Sequence, residues 1–285
     1  MKYYNMVIAL AAIVFFSACD DEDEGGEMDM PGTVTLMFDN VAGDADLVLE
    51  ADASTNYNLT NALDQAFNVD LLGYYISEIK LTGMEGTADY ADEVVYSAEE
   101  PLGFYLVEET VDGISGHMIT LKDVPMGHYT SVTFTLGVSM DYLSEGAQGG
   151  ALSESNGYVW SWNSGYIGYK LEGAAEHGEA SEHHGRQNEA ASLAYHLGGE
   201  GEDFSNIKTI TLDLGTHVMI SSASTSMVTI TSDVLKALTG ETDIDFTTLA
   251  TAHAPAQSQP IGNNLMSAFA VESVENDAES THEHE

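Results

Sequence analysis

The chain has 285 residues, with 7 Lys+Arg against 47 Asp+Glu and a formal net charge of −40 at pH 7. A surface this acidic repels phosphate backbones, which excludes nucleic acid as a partner, and it attracts cations. Hydrophobic residues make up 44%, enough for a full core, so global disorder is excluded too.

Residues 1–19 read as a lipoprotein signal peptide. Lys2 supplies the positive end, and residues 7–16 form an apolar run too short to span a bilayer. Ser17 and Ala18 place small side chains before Cys19. This is the only cysteine, so it has no internal disulfide partner. A lone Cys here resembles a bacterial lipobox, which implies diacylation of Cys19 and a membrane partner through that anchor. Residues 20–32, opening on Asp20-Asp21-Glu22-Asp23-Glu24, form an acidic tether. Such a run resembles the surface-export signal of some Gram-negative groups. The expected location is therefore the outer membrane, surface-exposed or otherwise facing the periplasm.

Residues 33–271 predict one all-β domain, an antiparallel β-sandwich of immunoglobulin or jelly-roll type with one short helix. Expected strands lie at 33–39, 47–49, 67–81, 94–96, 104–107, 118–121 and 129–138. Others lie at 158–162, 166–171, 192–197, 207–214, 217–221, 227–231 and 269–271. Val132-Thr133-Phe134-Thr135-Leu136 shows the β-branched and aromatic bias of a strand. Ser232-Asp233 as a cap and Gly240 as a stop predict the helix between them. Residues 141–157 and 174–190 read as loops, and 272–285 as an acidic disordered tail.

Five segments, in order, carry a family resemblance. They are Tyr74-Tyr75-Ile76-Ser77-Glu78-Ile79-Lys80-Leu81, then Val124-Pro125-Met126-Gly127-His128-Tyr129, then the stretch from Trp160-Ser161-Trp162-Asn163-Ser164-Gly165-Tyr166 to Lys170-Leu171-Glu172-Gly173. Tyr195-His196-Leu197-Gly198-Gly199 and Ile261-Gly262-Asn263-Asn264 complete the set. In this order they resemble the MbnP-like family of methanobactin-associated, copper-binding lipoproteins.

The resemblance implies a copper cofactor held by imidazole and by a kynurenine made by oxidising a tryptophan. Ring opening exposes an aromatic amine that intact indole lacks, and such nitrogens suit copper. His196 and one of Trp160 or Trp162 are the residues it points to. It also implies a di-haem peroxidase and a TonB-type outer-membrane receptor as partners.

Independently, His177, His183 and His184 stand with three glutamates in one polar loop that can wrap a divalent ion. His117, His128, His217 and His253 are scattered singly and read as structural or exposed. The 12 methionines are equally scattered and read as core filling. No nucleophile elbow, zinc-protease helix, Walker loop or dinucleotide fingerprint occurs, so a non-enzyme is expected. The leading expectation is a lipid-anchored, extracytoplasmic metal-binding protein, for copper, that captures or hands over the ion. A cell-surface interaction module without a functional metal is the alternative.

Overall fold

A computed structural model describes residues 30–51, 55–109, 111, 116–145, 148–161, 165–176, 191–201, 203–222 and 225–276. Cys19, Trp162, His177, His183 and His184 lie outside these residues.

The described residues form sixteen strands. The first eight are β1 (Gly32–Ala42), β2 (Ala45–Asp46), β3 (Leu59–Thr60), β4 (Ala66–Gly83), β5 (Tyr90–Ala91), β6 (Phe104–Glu109), β7 (His117–Val124) and β8 (Gly127–Leu136). The second eight are β9 (Val159–Ser161), β10 (Gly165–Tyr166), β11 (Tyr169–Ala175), β12 (Ala191–Leu197), β13 (Lys208–Ile220), β14 (Thr225–Asp233), β15 (Thr251–Ala252) and β16 (Phe269–Asn276). One sheet runs β13-β8-β4-β11-β12-β15, with β3, β5 and β6 also paired to the long β4. The other runs β16-β14-β1-β2, with β7 paired to β1, and β9 and β10 form a separate hairpin. The molecule is the expected all-β sandwich.

The period of two builds the core. Val34, Leu36 and Phe38 of β1 are buried while the residues between them are partly exposed. Phe38 packs edge-on against Phe134 of β8 at 5.5 Å and Tyr74 of β4 at 6.4 Å, joining the two sheets. A polar bridge crosses the same interior. Tyr74 Oη donates to Asn40 Oδ1 at 3.0 Å, and Asn40 Nδ2 donates to Glu109 Oε2 at 3.0 Å. Burial pushes the Glu109 carboxyl above its ordinary range, although the Asn40 hydrogen bond pulls the other way.

Several expectations need correction. The sheets are mixed rather than antiparallel throughout. β1 pairs with β14 in parallel, and so does β12 with β15. Alternation reports which face a residue takes, not which neighbour its strand finds. Residues 207–214 and 217–221 form one strand, β13, with a register shift between Asp213 and Val218. Gly215 supplies the required positive φ of 67° there. Residues 47–49 and 94–96 form no ladder of their own beyond an isolated Val95–Leu102 bridge. The segment 166–171 breaks between β10 and β11, where Gly168 N donates to Leu197 O.

Residues 272–276, expected at the start of the tail, extend β16, because Val274 pairs with Val228 and Asn276 with Ser226. The helix is α1 (Val234–Leu238), capped by Asp233 Oδ1 accepting from Leu235 N at 2.9 Å. A second short helix, α2 (Gln259–Asn264), was not expected. Asn264 Nδ2 ties it to α1 by donating to Ala237 O and Thr242 O.

Candidate functional site

Tyr74 faces the other sheet, so Tyr75 and Gly73 face outward on β4. Over this outer face lies a second cluster of Tyr75, Phe104, Val138, Leu152, Tyr158, Tyr166 and Ile167. The loop 141–157 and the β9–β10 hairpin build it. In the described part of that loop, 3-10 turns stand at Gly150–Leu152 and Glu154–Asn156. Trp160 is partly buried against this cluster.

A polar row runs from its edge across the sheet. Tyr158 lies over Gly73, where an added Cβ would come within 1.9 Å of its hydroxyl. Its phenol donates to Glu108 Oε2 at 2.7 Å, and burial raises its pKa far above the ordinary tyrosine range. Lys170, in register with Gly73, holds its ammonium 5.3 Å from the centre of the Tyr158 ring. The same ammonium lies 3.4 Å from Glu172 Oε1.

Lys170 is also in register with His196 on β12, and Glu172 Oε1 meets His196 Nε2 at 2.6 Å. Burial works against an ionised Glu172. His196 and Lys170 outweigh it, and the carboxyl sits below its usual range. For His196 burial dominates, and its pKa falls below the ordinary value although Glu172 opposes this. Burial thus favours the uncharged ring.

The other ring nitrogen finds a histidine that looked isolated in the sequence. β15 runs parallel to β12 with Ala194 beside Thr251 and Tyr195 beside Ala252. The next step brings His253 alongside His196. Their Nδ1 atoms are 3.2 Å apart and their ring centres 4.7 Å, at 77°. Only the parallel pairing of β15 creates this neighbour, and a two-residue strand carries no periodicity that would announce it.

The chemistry follows from the hydrogen bonds. A neutral His196 that donates Nε2–H to Glu172 presents its Nδ1 lone pair to His253. Carboxylate–histidine pairs of this kind orient and strengthen metal ligands. Two nitrogens 3.2 Å apart can both ligate one ion at about 2.0–2.1 Å, with an N–metal–N angle near 105°. Among the described residues no three His, Cys, Asp or Glu side chains form a metal-binding group. The pair is thus a two-nitrogen platform that needs a further donor. The ring partner of His196 is His253, and an intact indole offers only an N–H donor.

No curated protein matches the sequence. Among solved structures, MbnP from Methylosinus trichosporium superimposes with a TM-score of 0.50 at 12% identity, covering 87% of this chain and 99% of that one. This likeness establishes the shared fold. The family model described as MbnP matches residues 31–259, from the threshold of β1 to the first residue of α2. Since that match takes in most of the chain, the protein belongs to the MbnP family.

Proposed function

We propose that the protein is a lipid-anchored, extracytoplasmic copper-binding protein that captures the ion and hands it to an outer-membrane transporter of TonB type. The observation that carries this reading is the His196–His253 pair, with Glu172 on the far nitrogen of His196. Imidazole nitrogens suit copper. Burial favours the neutral form of His196, the form a metal ligand needs. The surrounding acidity raises the local concentration of cations.

The third donor we assign to the hairpin after Tyr158, as kynurenine formed from Trp160 or Trp162 by a di-haem peroxidase. Trp160 packs on the cluster that holds Tyr158, which supports this reading. The loop histidines His177, His183 and His184 serve as an outer collecting site. Copper titration of the native protein, with intact-mass analysis for an oxidised tryptophan, tests the assignment. The wild type should bind copper, and His196→Ala and His253→Ala should each weaken that binding strongly. Unchanged binding in both variants would refute this site and leave the loop histidines as the metal candidate, and a wild type that binds no copper would leave the surface interaction module as the function.

A further inference from the structure

His128 and His217 form a second histidine pair, on the outer face of the nine-stranded sheet, and a methionine stands with them. β8 and β13 pair so that His128 lies directly opposite Met219. Residues directly opposite in such a pair bring their Cβ atoms to about 4.5–5.5 Å. His217 lies two residues before Met219 and therefore on the same face. All three side chains are exposed, whereas Tyr129, Val218 and Ile220 between them point into the core. The two imidazole centres are 6.0 Å apart at 83°. Among the described residues no hydrogen bond or ion pair engages either ring.

The backbone beneath is firmly held. Asn276 Nδ2 donates to His217 O at 2.9 Å, and Asn276 Oδ1 accepts from Met219 N at 2.8 Å. On the other strand, His128 N donates to Thr87 Oγ1 at 3.2 Å, and His128 O accepts from Met84 N at 2.8 Å. The three side chains thus project from a fixed platform.

The geometry points to a site for a soft monovalent cation, Cu(I), held by His128, His217 and Met219. An ion ligated at about 2.0–2.1 Å lies roughly 3.2 Å from an imidazole centre. Two centres 6.0 Å apart can therefore share one ion at an N–metal–N angle of roughly 140°. That open angle leaves room for one further ligand in a trigonal arrangement, and the Met219 thioether, on the same face and in register with His128, is a donor of the right kind. Imidazole alone does not separate zinc from copper, but a thioether favours Cu(I). β4 and β11 separate β8 from β12, which places the pair at least about 14 Å from His196 across the sheet. The site is a second one, independent of the His196 reading.

The test uses the full chain carrying His196→Ala and His253→Ala, so the candidate site contributes nothing. Anaerobic Cu(I) is titrated against a chromophoric chelator while the methionine methyl signals are followed by NMR. The Met219 methyl signal should shift on Cu(I) addition but not on Zn(II) addition. His128→Gln with His217→Gln should abolish that shift, and Met219→Leu should weaken Cu(I) binding without changing thermal stability. A Met219 signal that never moves, or one that moves equally in the histidine variants, would overturn the proposal. Equal response to Zn(II) would overturn its assignment to a soft cation.

Discussion

Replacing Glu172 with Gln separates the role of the carboxylate from that of the fold. Glu172 Oε1 is 2.6 Å from His196 Nε2 and 3.4 Å from Lys170 Nζ, and its side chain is 32% exposed. Gln keeps an oxygen that can accept from Nε2 but loses the charge that makes the imidazole a stronger donor at Nδ1. Losing such a supporting carboxylate costs metal sites about 10–100-fold in affinity, which is about 1.4–2.7 kcal/mol. The effect on stability should be smaller. A partly exposed ion pair such as Lys170–Glu172 contributes about 0–1 kcal/mol, and the hydrogen bond to His196 can persist in the amide.

Glu172→Gln should therefore weaken copper binding by about 10–100-fold while the melting temperature moves little. His253→Ala should weaken binding more, because it removes a ligand instead of a ligand's support. Competition titration against a copper chelator measures the first effect, and a thermal melt without metal measures the second. Unchanged copper affinity in Glu172→Gln would refute the argument that this carboxylate prepares His196 as a ligand. An affinity loss matched by a collapse of the melt would refute the separation of site from scaffold.

Other outcomes follow from particular contacts. Gly73→Ala sets a Cβ 1.9 Å from the Tyr158 hydroxyl. The buried ring must shift off Glu108, and calorimetry should show a loss of about 1–3 kcal/mol. Glu109→Gln removes a buried carboxyl whose folded pKa is raised by burial, so the wild-type residue favours the fold only as pH falls toward and below that pKa. The variant should melt higher than wild type at pH 7, with the advantage fading below the ordinary Glu range; equal melts at both pH values would contradict the raised pKa. If Cys19 carries the proposed acyl anchor, Cys19→Ser should move the protein from membrane to soluble fractions; a variant that stays in the membrane with unchanged mass would refute the anchor. Alanine at His177, His183 and His184 together should lower the copper stoichiometry without disturbing His196, and an unchanged titration would eliminate that loop.

Much of the fold was legible before any coordinates. In β1, β8 and β12 the alternation of apolar and polar side chains is itself the physical cause of burial, so strand and core face could be read together. The Asp233 cap likewise announced α1, because a side-chain acceptor two residues before a backbone donor is a local arrangement. His196 was legible from its motif alone. What it pairs with was not. His253 reaches it only because β15 joins β12 in parallel, and Glu172 meets it only because Lys170 and His196 share a register. His128, His217 and Met219, scattered singly along the sequence, share a face only once β8 and β13 pair with a bulge between Asp213 and Val218. The sequence by itself determined the strands, the faces and the acidic surface, since these depend on neighbours within a few residues. The tertiary structure decided which histidines meet, because strand pairing joins distant segments and a shift of one residue would turn each side chain to the opposite face.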